Sequence, residues 1–484
     1  MKNFSKPDDL NENALVERRE FLSGAATLAG TSLLGLGLPA AASAAPSAPE
    51  PTPAPSPAPP PPTMTMPVER RLARWQDQRW LLDAVVQTVG VEWDQGRLGT
   101  LVAMCGPEIQ GDVAAIRARV RKFNDLSREF ARPAVRREKQ ARDFEAQGRT
   151  VSAREQYYMA ALLYSLAQWP IFENTRENLA LNEGKNACYA KYMQYADHEI
   201  RRVEVPFAGK TLPGYLHLPP NRTGRVPCVW SISGLDSTKE YGAALSGDKL
   251  RDRGIATLAL EGPGQAECAI REIFLTHTNW QQAGPSVLSW LRGQKEIDPD
   301  RIALRGVSLG TSLASHVASV DSKLSAVVVQ AMTHEPHFHS AFETASPSFK
   351  LRFMYYAGLQ TEAELDKFLE AWDIQDLAAK IKAPYLAVAG EDDQLSRIEY
   401  TYQFFENLAG PKQLLVYEGA EHGVLGAASV TNGPNVATYM ADWIADRFAG
   451  KSMETKHMKV DAAGSVHESS FEDARKALSL MFLT

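Results

Sequence analysis

The chain has 484 residues, 44% of them hydrophobic and 23% charged, with a formal net charge of −6. That length admits two domains plus extensions, and the composition is that of an ordinary globular protein. The small acidic excess gives nucleic acid or an anionic membrane surface no electrostatic footing as a partner.

The amino terminus reads as an address and not as part of a fold. Arg18-Arg19-Glu20-Phe21-Leu22 opens an uncharged stretch rich in Ala, Gly and Leu that runs to Pro49, and Ala42-Ser43-Ala44 offers an A-x-A cleavage site. Paired arginines, a mildly apolar core and small residues predict a twin-arginine export signal over residues 1–45, hence a periplasmic or secreted protein. An uncleaved anchor is the alternative. The many glycines and alanines disfavour a stable span, and membrane contact is expected only through that signal if it is retained. Residues 46–67 are mostly proline and alanine, which cannot pack a core and favour an extended polyproline II tether.

Residues 68–198 are predicted to form a helical domain. Leu81-Leu82, Val85-Val86 and Val89 recur at helix spacing, as do Tyr158, Leu162, Leu163 and Leu166, with Gly148 and Pro170 as punctuation. The stretch around Gly148 and Tyr157 is similar to one tetratricopeptide hairpin. A single unit cannot bury its own core, so a helix pair packed on another surface is expected. The basic residues Arg117, Arg119, Arg121, Lys122, Arg136, Arg137 and Lys139 alternate with acids and apolar residues, as on a solvated helix face. Cys105, Cys188, Cys228 and Cys268 match no zinc spacing and read as thiols, with Cys228 inside a core strand.

From residue 199 the pattern changes to strands, and residues 199–450 are predicted to form an α/β domain. Arg202–Pro206 and Tyr215–Leu218 suggest a hairpin pair. Cys228–Ile232, Ile255–Leu260, Arg301–Arg305, Ala326–Gln330, Pro384–Ala389 and Gln413–Tyr417 are apolar runs separated by helical stretches, including Tyr241–Arg253 and Val287–Gln294. Such alternation predicts a mostly parallel sheet with helices on both faces. Residues 331–383 exceed the needs of a crossover and hold Phe338, Phe342, Phe349, Phe353, Tyr355 and Tyr356. They suggest a cap, or aromatics that fasten an ordinary helix to the core. Residues 451–484 are read as a tail.

The chemistry sits at strand ends. Gly306-Val307-Ser308-Leu309-Gly310 matches the G-x-S-x-G elbow, in which a strand stops abruptly and a helix begins, so that the serine oxygen stands exposed. Asp393 follows the run Pro384–Ala389, and His422 follows Gln413–Tyr417. Ser308, Asp393 and His422 thus stand in the order of nucleophile, orienting acid and base; Asp392 is the adjacent alternative to Asp393. Leu309 and Leu235, the latter in Ser233-Gly234-Leu235, are the expected N–H donors to an oxyanion. Ser237-Thr238-Lys239-Glu240 reads as a capping box, with Asp236 or Lys239 as candidate substrate contacts. Glu261-Gly262-Pro263-Gly264 reads as a tight turn at the pocket rim. In His334-Glu335-Pro336-His337-Phe338-His339, Pro336 breaks the register a metal site would need. Glu335 and His339 are kept as candidate substrate contacts at the start of the cap, against solvent-facing histidines as the plain alternative; no metal and no cofactor is expected.

These residues carry a resemblance. Ser233 to Glu240, Glu261-Gly262-Pro263-Gly264-Gln265 and the elbow Gly306 to Gly310 resemble the 2,6-dihydroxypseudooxynicotine hydrolase group of α/β-hydrolases, which includes polyketide chain-shortening hydrolases and FrsA-like proteins. The likeness covers roughly residues 68–449. It implies an α/β-hydrolase sheet, a pocket between the helical domain and the sheet, and the roles of Ser308, Asp393 and His422 given above. Thr311 departs from the glycine many members carry after the elbow, and the export signal and residues after Lys451 are also departures. The resemblance implies hydrolysis of an ester or of an activated, 1,3-diketone-like C–C bond in a small organic substrate. A non-catalytic FrsA-like binding protein, or an acyltransferase or peptidase on the same fold, are the alternatives, and self-association into a homodimer stays open.

Overall fold

The computed structural model describes residues 80–481 apart from residues 94, 245 and 246. The expected export signal, the expected linker and the first residues of the expected helical domain lie outside that range.

A short helix over residues 80–88 and the helix Arg97–Cys105 precede a hairpin of two long helices, Leu126–Ala146 and Thr150–Gln168, followed by Arg176–Gln194. Gly148 turns the hairpin at φ +69°, where a side chain is rarely tolerated. The apolar stripes of these helices converge on Phe130, Leu162, Leu163, Leu181 and Tyr189. Their core also takes in Tyr215 and Tyr241 from the strand domain. The second surface expected for the helix pair is thus a third helix and the margin of the sheet.

The sheet has ten strands: β1 Ile200–Phe207, β2 Lys210–His217, β3 Val226–Ile232, β4 Ala256–Leu260, β5 Ile297–Val307, β6 Ala326–Gln330, β7 Tyr385–Gly390, β8 Lys412–Tyr417, β9 Lys456–Val460 and β10 Val466–Ser469. Their order is β1-β2-β4-β3-β5-β6-β7-β8-β9-β10. The run from β4 to β9 is parallel, while β1, β2 and β10 are antiparallel to their neighbours. Side chains alternate between two buried faces. Trp230, Leu304, Val327 and Val329 pack on one, and Val229, Ala303, Val328 and Leu415 on the other.

Three expectations need correction. The stretch Tyr241–Arg253 is not one helix but two short ones, Lys239–Ala244 and Gly247–Arg251. The helix expected over Val287–Gln294 begins at Asn279, because Pro285 lies within it and does not mark its start. Residues 451–481, read as a tail, contain two strands and a helix joined to the sheet domain. Lys456–Val460 pairs in parallel with β8, its Met458 and Val460 are buried, and Phe471 packs on Phe405 with ring centroids 5.6 Å apart. Two lysines and a histidine in five residues hide that strand from a hydrophobicity reading, but lysines suit the margin of a sheet.

The segment 331–383 places its aromatics both in a packed cluster and beside a cavity. Phe338, Phe342 and Phe353 pack on one another, Phe338 and Phe353 also pack on Trp372, and the same phenylalanines face the cavity described below. Arg352 donates to the carbonyls of Gln168 (3.2 Å) and Trp169 (2.5 Å), and Tyr355 donates to Asn174 (2.7 Å). The cap is thereby fastened to the helical region.

Candidate active site

Ser308 sits where β5 ends and the helix Leu309–Ala318 begins, at φ 55° and ψ −126°. For a residue with a side chain this is a strained conformation, held only because the surroundings over-determine it. The flanking glycines are a steric requirement. A Cβ on Gly306 would lie 2.4 Å from the Gly310 carbonyl oxygen, and one on Gly310 would lie 2.3 Å from that of Ile232. The Ser308 N–H donates to the Gln330 carbonyl (3.0 Å), and the Thr333 hydroxyl donates to the Ser308 carbonyl (2.8 Å).

The structure brings the three candidate side chains together. His422 Nε2 lies 2.9 Å from Ser308 Oγ, and Nδ1 lies 2.9 Å from each carboxylate oxygen of Asp393. Asp393 Oδ1 also accepts the N–H groups of Leu395 (2.9 Å) and Ser396 (3.1 Å), which fixes the carboxylate before it meets the imidazole. His422 and Asp393 are buried at 3% and 5% exposure, whereas the adjacent Asp392 is exposed and only its backbone is engaged. The order hydroxyl, imidazole, carboxylate lets Nδ1–H donate to Asp393 while Nε2 stays free to accept from Ser308.

The turn Ser233-Gly234-Leu235 abuts Ser308. A Cβ on Gly234 would stand 3.0 Å from the Ser308 Cβ. Leu309 opens its helix, so its N–H has no partner within the helix and the positive end of the helix dipole lies there. Leu309 and Leu235 both line the cavity beside Ser308. The turn is held from behind. Gln265 donates to the Ser233 carbonyl (2.7 Å) and accepts from the Gly262 N–H (2.9 Å), and Glu261 accepts the N–H groups of Lys239 (2.8 Å) and Glu267 (2.9 Å). The Glu240 carboxylate does not close the expected capping box: its Oε1 accepts from the Tyr215 hydroxyl (3.2 Å) and its Oε2 has no hydrogen-bond partner among the described residues.

A cavity of about 530 Å³ opens over Ser308 and His422. Gln95, Gly99 and Thr100 of the helical region form one wall, the cap phenylalanines a second, and Val424 and Leu425 after the histidine a third. Its surface is mostly apolar. Asp236 lines it but is bound to Arg97 at 2.5 Å. Lys239 does not reach it. Its ammonium is fully buried, 2.7 Å from Glu267 and 3.1 Å from Glu240. Two further candidates are displaced. The Glu335 carboxylate is buried, accepting from Ser340 N–H (3.1 Å) and hydroxyl (3.0 Å), so it braces its own loop. His339 is exposed and does not line the cavity. The histidines of that cluster diverge, with His334 buried between Thr401 (3.1 Å) and Tyr385 (3.3 Å) and His337 directed to the Leu369 carbonyl (2.9 Å). Among the described residues no group of His, Cys, Asp and Glu side chains is arranged to hold a metal. The four thiols are unpaired. Burial pushes Cys228 up to about 12, away from nucleophilic chemistry.

Sequence reasoning missed Arg97, Thr333 and Arg305 at this site. Arg305 carried a signal: a charge in an otherwise apolar, buried strand immediately before the elbow.

The family model described as "Esterase FrsA-like" matches residues 121–400. The alpha/beta hydrolase psoB of Aspergillus fumigatus is 34% identical over 204 residues, which is 39% of this chain and 45% of that protein. The 2,6-dihydropseudooxynicotine hydrolase of Paenarthrobacter nicotinovorans is 26% identical over 251 residues, 52% of this chain and 66% of that one. The chain thus spans about half the length of the curated relatives it matches. Among solved structures, 2,6-dihydroxy-pseudo-oxynicotine hydrolase superposes with a TM-score of 0.63 at 23% identity, over 74% of this chain and 98% of that chain. AbyA5 does so with a TM-score of 0.52 at 16% identity, over 72% and 96%. These likenesses show the α/β-hydrolase fold with an amino-terminal helical region.

Proposed function

Because the chain belongs to the FrsA-like esterase family, we propose that it is a serine hydrolase that cleaves an ester or an activated C–C bond of a small organic substrate through Ser308, His422 and Asp393. One observation carries the reading: the His422 imidazole bridges Ser308 Oγ and the Asp393 carboxylate, 2.9 Å on each side, at the floor of an apolar cavity.

The steps follow from that geometry. Ser308 Oγ attacks the carbonyl carbon as its proton passes to His422 Nε2, and the imidazolium is stabilised by Asp393. The carbonyl oxygen becomes an oxyanion, accepted by the Leu309 and Leu235 N–H groups; one such donor is worth about 2.7–4 kcal/mol in the transition state. Collapse breaks the bond to the leaving atom, and His422 returns the proton to it. That atom is an alcohol oxygen in an ester, or a carbon whose charge is delocalised into a neighbouring carbonyl in a 1,3-diketone. Water, deprotonated by His422, then releases the acid from Ser308.

Turnover of aryl esters and of 1,3-diketones by the purified protein, side by side, tests the reading. Ser308→Ala should abolish nearly all of it, and equal turnover in wild type and variant would reject the assignment. Export through the twin-arginine pathway is part of the proposal, supported by Arg18-Arg19 and Ala42-Ser43-Ala44. Replacement of both arginines by lysine should trap the protein in the cytoplasm, and unchanged export would overturn that part.

A further inference from the structure

The described cavity wall contains one guanidinium, and it has no acid to answer it. Arg305 is 4% exposed and lines the same cavity as Ser308. Its only hydrogen bond is a long one, Nη1 to the Ser231 hydroxyl at 3.4 Å, and Nε has no partner. It forms no ion pair with any described residue. Burial alone pushes it down to about 10, with no carboxylate pulling the other way. Its situation differs from that of the other charge on the wall: Asp236 is held by Arg97. A buried guanidinium without a counter-ion is costly, and arginine in particular presents a planar fork matched to a carboxylate. No feature of the fold requires it, since the neighbouring inward positions of the same face, Ala303 and Val328, are apolar.

Arg305 also lies at a useful distance. It stands three positions before Ser308, and strand rise places their backbones on the order of 10 Å apart. Val307, two residues on and on the same face of β5, lines the cavity between them.

We propose that Arg305 is a specificity residue, and that the substrate is an apolar or aromatic molecule bearing a carboxylate several bonds from its reacting carbonyl, with Arg305 as the anchor for that carboxylate. The inference rests on the hydrolase reading of this cavity and adds the charge of the substrate to it.

Two measurements test it separately from turnover. Calorimetric binding of 6-phenylhexanoate and of its neutral amide to the Ser308→Ala protein should favour the carboxylate by about 10- to 100-fold, the range of a charged hydrogen bond. Arg305→Met should remove that preference, and Arg305→Lys should restore part of it. In kinetics, the kcat/KM ratio of 4-nitrophenyl hemisuberate to 4-nitrophenyl hexanoate should fall by a similar factor in Arg305→Met. Removal of an unanswered buried charge should also raise Tm, as for a residue kept for binding and not for folding. Equal binding of carboxylate and amide by the Ser308→Ala protein would overturn the proposal, as would a preference that survives in Arg305→Met. Should Arg305→Met not fold, Arg305→Gln and Arg305→Lys carry the same comparison. If neither ester is turned over, the hydrolase reading fails, while the binding comparison still decides the anion site.

Discussion

The Arg97 guanidinium, on the helix Arg97–Cys105, meets Asp236 Oδ2 at 2.5 Å, and its Cζ lies 3.6 Å from the centroid of the Trp169 ring. Asp236 directly follows Leu235. The helical region therefore does more than cover the sheet: through one ion pair it grips the turn that abuts Ser308. Asp236→Asn should weaken that grip while leaving the triad untouched. The expected result is a loss of about 10- to 100-fold in kcat, below the full cost of deleting an oxyanion donor, with about 1–3 kcal/mol lost in urea unfolding. A change in KM alone would mean that Asp236 binds substrate and does not position the turn.

Gly310→Ala tests the steric demand of the elbow. Its added carbon would stand 2.3 Å from the Ile232 carbonyl oxygen, and backbone cannot swing aside as a side chain can. Overpacking of this kind costs about 1–3 kcal/mol or more. A drop in Tm together with lost turnover is expected; wild-type values for both would show that the elbow yields.

Lys239 anchors a buried charge cluster beside the turn Ser233-Gly234-Leu235. Its ammonium faces Glu240 (3.1 Å), Glu261 (3.6 Å) and Glu267 (2.7 Å), and these acids hold it well above the ordinary lysine range despite burial. Lys185, across the cluster, is pushed down by burial and lies 3.5 Å from Glu240. Lys239→Met would leave the glutamates with too little positive charge, at a cost of about 3–5 kcal/mol. Denaturant titration reads this directly. A loss below about 1 kcal/mol would mean that the acids simply take up protons.

Glu362, at the start of the cap helix Glu362–Glu370, is 7% exposed, and neither carboxylate oxygen has a hydrogen-bond partner. Burial raises it to about 7; Lys350 opposes the shift, and Asp366 and Glu343 add to it. The folded chain then holds a proton that the unfolded chain has released, so stability falls as pH rises from the usual carboxylate range towards 7. Glu362→Gln removes that fall. Its free energy of unfolding should match wild type near pH 4.5 and exceed it above pH 7, by about 1–3 kcal/mol. A constant difference across that range would contradict the assignment.

What was legible in the sequence follows from which forces are local. The elbow was readable because Gly306 and Gly310 answer a clash within their own turn. The central parallel strands β3, β4, β6, β7 and β8 were readable because each is buried on two faces and so is mostly apolar. Asp393 was preferred to Asp392 on loop position, and the structure separates them by burial. Long-range partnerships were not legible. Arg97 and Asp236 stand 139 residues apart, and Lys239, a candidate substrate contact in the sequence, is enclosed by Glu261 and Glu267 in the folded chain. Glu335 was misread for the same reason, since nothing in its neighbours announces that Ser340 folds back onto it. The strand Lys456–Val460 was missed because its burial depends on β8 and not on its own composition.

The most direct test of the central claim is covalent labelling by an aryl fluorophosphonate, read by intact mass and peptide mapping. A single adduct on Ser308 is expected in the folded protein, none in Ser308→Ala, and labelling slowed by orders of magnitude in His422→Ala. A folded wild-type protein that takes no label, or a Ser308→Ala variant labelled as fast as wild type, would contradict it.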